Sequence, residues 1–142
     1  MSATILALDT ATNACTAALL FAGKVDERFE IAPRRHSDLI IAMIDDLLAT
    51  ANITLQDIDA LAFGCGPGSF MGVRIATGVA QGLAFGVECP VIAVSTLQTL
   101  AQTAYHATHA ENILVGWDAR MAEIYWGAYE LNSNGIMTAV IA

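Results

Sequence analysis

Apolar and polar positions along the chain change period several times, and each change marks an element. Thr4-Ile5-Leu6-Ala7-Leu8 is apolar almost throughout, the pattern of a strand buried on both faces. Ala14 to Phe21 and Lys24 to Ile31 read as two further strands. The Ala22-Gly23 connection between them is a hairpin signal, so the chain opens as an antiparallel meander. Pro33 breaks the run, and Ser37 or Asp38 is placed to cap a helix. Ile40, Met43, Ile44, Leu47, Leu48 and Ala51 then recur at helical spacing. Leu39 and Ile41 fall outside that stripe, so the helix over 37–51 is apolar on more than one face. Either the same chain or a second protein covers the excess.

Downstream, Ala60-Leu61-Ala62-Phe63 predicts a strand and Gly72 to Phe85 a helix. Within that helix Gly72, Ala76, Ala80 and Ala84 stand four apart, as do Gly78 and Gly82. Interior glycine costs a helix roughly 1 kcal/mol against alanine, a cost that fits a close backbone approach to the sheet or to a partner helix. Pro90 leads into a strand over Val91 to Val94. Ser95 or Thr96 caps a helix from Leu97 through Ala107. Asn112 to Trp117, Glu123 to Glu130 and Ile136 to Ala142 read as strands. The polar turn Asp118-Ala119-Arg120 and the Asn132-Ser133-Asn134-Gly135 turn separate them. Composition shifts near Glu111, which places a domain boundary between 1–110 and 111–142.

The chain has 142 residues, 56% hydrophobic and 14% charged, which suits a packed core and excludes disorder. Its formal net charge of −8 argues against direct nucleic-acid binding, which needs a basic stripe to displace counterions. The single basic cluster, Arg34-Arg35-His36, reads as a solvated loop before a helix. The three cysteines are odd in number and far apart, in keeping with reduced thiols and a cytoplasmic location. No apolar stretch of membrane-spanning length escapes interruption by glycine, proline or charge. A basic leader segment is missing, and neither signal peptide nor membrane association is expected.

Candidate chemistry centres on Gly64-Cys65-Gly66-Pro67-Gly68-Ser69, set between a strand and a helix. Outward-facing N–H groups at glycines, with a helix N-terminus behind them, can cradle an anion. The same residues equally make a tight turn that binds nothing. Neither a Walker A loop nor a clean dinucleotide fingerprint is present. Asp9 and Thr10, ending the first strand, can meet an anion or Mg²⁺ at the sheet edge, or simply cap the turn. With Gly66, Gly68 and Ser69 they form the candidate nucleotide loop. Asp118 and Arg120 can form a local ion pair. His106 and His109 are spaced to share a metal, but no third ligand stands near them and no metal is expected. No catalytic triad or zinc-protease motif is found.

Several stretches together resemble one family. They are Ile5-Leu6-Ala7-Leu8-Asp9-Thr10-Ala11-Thr12, Gly66-Pro67-Gly68-Ser69-Phe70-Met71-Gly72-Val73-Arg74, Pro90-Val91-Ile92-Ala93-Val94-Ser95-Thr96-Leu97, and Asp118-Ala119-Arg120-Met121 with Glu123-Ile124-Tyr125. They resemble the bacterial TsaB (YeaZ) family, the non-catalytic partners in making threonylcarbamoyladenosine on tRNA. Met71 replaces the family's usual threonine. The resemblance implies an α/β fold of the actin/Hsp70/sugar-kinase-like, RNase H-like kind. In it a mixed-sheet lobe is followed by an incomplete second lobe, since family members carry a longer one. It also implies a paralogous enzyme, TsaD, as partner in a heterodimer, TsaE in a larger complex, and a homodimer when the chain is alone.

In TsaD a His-x-x-x-His pair holds a metal. Aligning on Pro90 and Val94 puts Thr96 and Leu100 at those positions, so no catalytic residue and no metal is expected here. No cofactor is expected for the chain alone, and ATP or ADP only within the complex. The alternative is an ATP-binding enzyme of the same fold that uses Asp9 and the glycine loop. The scaffold reading assigns the partner interface to Ile40, Ile41, Ile44, Leu48, Gly72, Ala76, Gly78 and Ala80.

Overall fold

The computed structural model describes residues 2–140, and the chain divides into two compact units, one ending at Ala93 and the other beginning at Val94. In the first unit, β1 (Ile5–Asp9), β2 (Ala14–Phe21) and β3 (Lys24–Ile31) form the expected meander. Ala22 and Gly23 both take positive φ, +52° and +76°. That is the backbone of a tight hairpin turn whose twist matches the strands. β4 (Ala60–Gly64) pairs parallel with β1, and β5 (Val91–Val94) completes a five-stranded sheet of order β3-β2-β1-β4-β5. A single 3-10 turn at Leu55–Asp57 leads into β4.

Two helices pack against this sheet. Helix α1 (His36–Ala51) buries Ile40, Ile44, Leu47 and Leu48, and α2 (Phe70–Val87) buries Gly72, Ala76, Ala80 and Ala84. Their partners are Leu6 and Leu8 of β1, Cys15, Ala17 and Leu19 of β2, and Leu61 of β4. Leu6, Leu47 and Leu61 are completely buried, each removal from water contributing roughly 1.5–3 kcal/mol. β1 alternates between buried and half-buried positions, so the expectation of a strand buried on both faces is corrected. The other face carries Ile5 and Ala7 in line with Leu20 and Ala18. Capping differs too. α1 begins at His36 with Arg35 as its N-cap and no side-chain hydrogen bond there, so neither Ser37 nor Asp38 caps it.

By length and apolar content alone α2 is able to cross a membrane, with a mean hydropathy of 1.3 over 18 residues. Only 22% of that helix is buried, where it packs on β1 and β4, and Phe70, Met71 and Phe85 stay exposed.

In the second unit, α3 (Thr96–Thr108) packs on a sheet of β6 (Asn112–Arg120), β7 (Glu123–Leu131) and β8 (Met137–Ala139). The structure thus groups α3 with the strands that follow it, whereas the compositional shift suggests a boundary near residue 110. The cause is a shared core of Leu97, Ala101, Val115, Tyr129 and Met137, tied by two glutamines. Gln98 Nε2 donates to the Met137 carbonyl at 3.0 Å. Gln102 donates to the Gly135 carbonyl at 3.0 Å and accepts from the Met137 N–H at 2.8 Å. β8 is shorter than the strand expected over 136–142, and 141–142 lie outside the described residues. Asp118-Ala119-Arg120 belongs to β6, and the reversal is tighter than expected, with Arg120, Met121 and Ala122 all at positive φ.

Candidate functional site

The carboxyl ends of β1 and β4 converge on the glycine-rich loop. Thr10, fully buried, donates its hydroxyl to the Gly72 carbonyl. The Ser69 N–H donates to the Ala11 carbonyl at 2.8 Å. Asp9 Oδ1 accepts from the Ala11 N–H at 2.8 Å. The turn after β1 therefore lies directly on the loop before α2. Glycine is required at the points of contact: a Cβ at Gly64 would strike the Asp9 carboxylate, at Gly68 the Ala11 carbonyl, and at Gly72 the Thr10 carbonyl. At Gly66 the reason is conformational, with φ at +95°.

The donors that would hold an anion are in part already used. Ser69 caps α2, its hydroxyl accepting from the Gly72 N–H at 3.0 Å, while the Val73 N–H donates to the Ser69 carbonyl. Of the candidate loop residues, Asp9, Thr10, Gly68 and Ser69 meet one another or the backbone between them. At Gly66 an added Cβ would instead meet the Val73 side chain. The arrangement is a packed joint between two loops more than an open cradle. Burial pushes the Asp9 carboxyl above its usual range, opposed by the Ala11 hydrogen bond and by the nearby charge of His36. His36 itself is buried, with Nε2 lacking a hydrogen-bond partner. In the sequence it stands out only as part of a basic loop. Arg34 and Arg35 are exposed as expected.

The docking residues expected from sequence divide sharply. Ile40, Ile44, Leu48, Gly72, Ala76 and Ala80 are buried within the unit's own core, so their side chains present no surface to a partner. Only Ile41 and Gly78 of that set reach the surface. The outward side of α2 carries Gly78 and Gly82, whose four-residue spacing the sequence shows, together with large apolar residues that the pattern does not single out. Met71 is 64% exposed and Phe85 is 88% exposed, and Gly78 and Gly82 have open space where a Cβ would stand. At its start Arg74 lies over the Phe70 ring, 3.9 Å from the centroid. The signal that could have found this face is the second small-residue spacing, Gly78 and Gly82. Ala76, Ala80 and Ala84 face inward together with Gly72, while Gly78 and Gly82 fall on the opposite side.

In the second unit the Asp118 carboxylate accepts from the Arg120 backbone N–H at 2.8 Å, and no ion pair between the two side chains is found among the described residues. Thr96 is buried with its hydroxyl unpartnered, and Leu100 packs beside the unit's core. Among the described residues no group of three or more His, Cys, Asp or Glu side chains is placed to hold a metal ion.

An antiparallel meander, a parallel β1–β4 pair, the order β3-β2-β1-β4-β5 and helices α1 and α2 packed on the sheet define an α/β lobe of the actin-like, RNase H-like class. A family model described as "TsaD: tRNA N6-adenosine threonylcarbamoyltransferase" matches residues 29–141, and the chain belongs to that family. Among curated proteins it is 53% identical over 132 residues to the "tRNA threonylcarbamoyladenosine biosynthesis protein TsaB" of Escherichia coli K12. It is 51% identical over 123 residues to the protein of the same name from Haemophilus influenzae. These matches cover 93% and 87% of the chain, which spans only 57% and 52% of the two relatives' lengths. A solved structure described as "YeaZ from Pseudomonas aeruginosa" superposes with a TM-score of 0.95 at 49% identity. That match covers 99% of this chain and 66% of the other.

Proposed function

We propose that the chain is a non-catalytic subunit for synthesis of N6-threonylcarbamoyladenosine on tRNA, docking against the catalytic paralogue TsaD through the outward face of α2. TsaE would join the larger assembly. The names of its close relatives support the pathway. The observation that carries the docking role is the exposed apolar and glycine surface of α2, Met71, Gly78, Gly82 and Phe85. Glycines let a second helix approach closely, and the flanking large apolar residues supply area to bury. Exposed Ile41 on α1 extends the apolar surface of the unit. The joint between the β1 turn and the glycine loop favours a structural role for Asp9 and Thr10, because much of its hydrogen bonding is satisfied internally.

The test is binding of TsaD to the Gly78→Trp variant by calorimetry. Nothing lies within 4 Å of the position a Cβ would take at Gly78, so the bulky side chain projects outward and leaves the fold intact. Binding weaker by at least about tenfold is expected. Unchanged binding overturns this placement of the interface.

A further inference from the structure

Among the described residues β3 pairs with β2 on one side only. Phe21 and Lys24 flank the two-residue turn as a hydrogen-bonded pair, and such pairs recur at every second residue. Lys24, Asp26, Arg28 and Glu30 therefore point their N–H and C=O groups toward β2. Val25, Glu27, Phe29 and Ile31 point theirs toward the open edge. One of these groups, the Glu27 carbonyl, accepts from Arg28 Nη1 at 2.9 Å, which leaves its second lone pair free.

The two faces beside that edge differ in character. Asp26, Arg28 and Glu30 stand opposite Leu19, Ala17 and Cys15, the buried residues of β2, and so lie on the face that carries α1. A shallow groove runs there between β3 and α1. Leu39, Ala42 and Met43 give it an apolar wall, and Glu30 and Asp46 add carboxylates. Asp26 and Asp46 both bond Arg28, yet their side chains stay 53% and 61% exposed, open to a second cation. The other face presents Val25, Phe29 and Ile31, all well exposed.

We propose that this edge takes up, as an added antiparallel strand, an extended segment of another protein in which basic and apolar residues alternate. The alternation of side chains along a strand sends the apolar ones to the face of Val25, Phe29 and Ile31 and the basic ones to the face of α1. A lysine or arginine there lays its methylene stem on Leu39, Ala42 and Met43 and sets its charged head beside Glu30 and Asp46. The sign follows from the local balance, because Asp26, Glu27, Glu30 and Asp46 outnumber Lys24 and Arg28. An acidic segment would be repelled by that excess. No two basic residues of this sequence stand two apart, so a second copy does not supply the segment.

Antiparallel pairing also fixes which amides of the segment bond to the edge. Residues directly opposite Val25, Glu27, Phe29 and Ile31 exchange hydrogen bonds with them. Those are the apolar residues of the segment, and the amides of its basic residues face away.

The probe is a blocked, fluorescently labelled peptide of alternating valine and lysine, beginning and ending in valine, titrated with the chain at about 0.15 M salt. Saturable binding is expected, at least about tenfold tighter than that of the same peptide with glutamate in place of lysine. Methylating the valine amides is expected to abolish it, and methylating the lysine amides to leave it within about twofold. Exchange of the Val25, Glu27, Phe29 and Ile31 amides with solvent should slow in the bound chain. Glu27→Pro removes an outward N–H without costing a ladder bond and should abolish binding. Glu30→Lys should weaken it severalfold. Glu123→Lys, the same change of charge in the second unit, and Gly78→Trp, on α2, should leave it unchanged. Absence of saturable binding below about 1 mM overturns the proposal. So does binding that survives methylation of the valine amides, or that Glu123→Lys weakens as much as Glu30→Lys.

Discussion

Two alanine substitutions in the same helix should move stability in opposite directions. Gly72 stands in the first turn of α2, where a Cβ would overlap the Thr10 carbonyl and crowd Ser69 Oγ. The obstacle is backbone, held by the hydrogen bond from Ser69 N to the Ala11 carbonyl, so it cannot swing aside as a side chain does. Gly72→Ala must part the β1 turn from α2. Overpacking of this kind costs about 1–3 kcal/mol. Loss of the Thr10 hydroxyl bond to the Gly72 carbonyl, buried at both ends, adds about 1 kcal/mol. Helix propensity returns up to about 1 kcal/mol, leaving a net loss of about 1–3 kcal/mol.

Gly78→Ala meets open space and keeps only the propensity term, a gain of up to about 1 kcal/mol. Urea unfolding followed by far-ultraviolet circular dichroism, with hydrogen exchange of α2 amides to localise the effect, measures both. Equal stability for the two variants, or a gain for Gly72→Ala, refutes the close-approach reading of the loop joint.

Other outcomes follow from the same contacts. Asp9→Asn should stabilise the first unit at neutral pH, because the Asn Oδ1 still accepts from Ala11 while the buried charge is gone. Burial raises the Asp9 pKa in the fold. The associated stability is therefore present below the unfolded value near 4 and lost as pH rises through the folded value. The advantage of the variant should vanish in melts at about pH 3, and a gain equal at all pH values contradicts it. Gln102→Ala leaves the fully buried Met137 with an unpaired N–H and should cost the second unit about 1–3 kcal/mol, seen as faster exchange of β8 amides. Titration of Mg-ATP into the isolated chain should give no micromolar heat. Micromolar binding abolished by Asp9→Ala would favour a nucleotide-using enzyme.

Much of this fold is legible along the chain because its signals are local. The meander follows from apolar runs and a glycine turn, and the Asn132–Gly135 turn from its composition. There the Asn132 side chain accepts from the N–H groups of Asn134 and Ile136. The family resemblance also rests on contiguous motifs. Local signals fail where two elements compete for one residue. α2 carries small residues on two stripes, and periodicity alone does not say which meets the sheet.

The sequence by itself determined the α/β class, the order of elements, the glycine loop and the family. Each of these depends on residue type at fixed spacing. Tertiary structure alone decided that Ala76 and Ala80 face inward while Gly78 and Phe85 face out. It also decided that α3 belongs with β6 to β8, and that the first turn lies on the glycine loop instead of leaving it open. Those outcomes depend on contacts between residues as distant in the chain as Thr10 and Gly72. Which distant groups meet is set by how whole faces pack, and no single stretch of sequence carries that information.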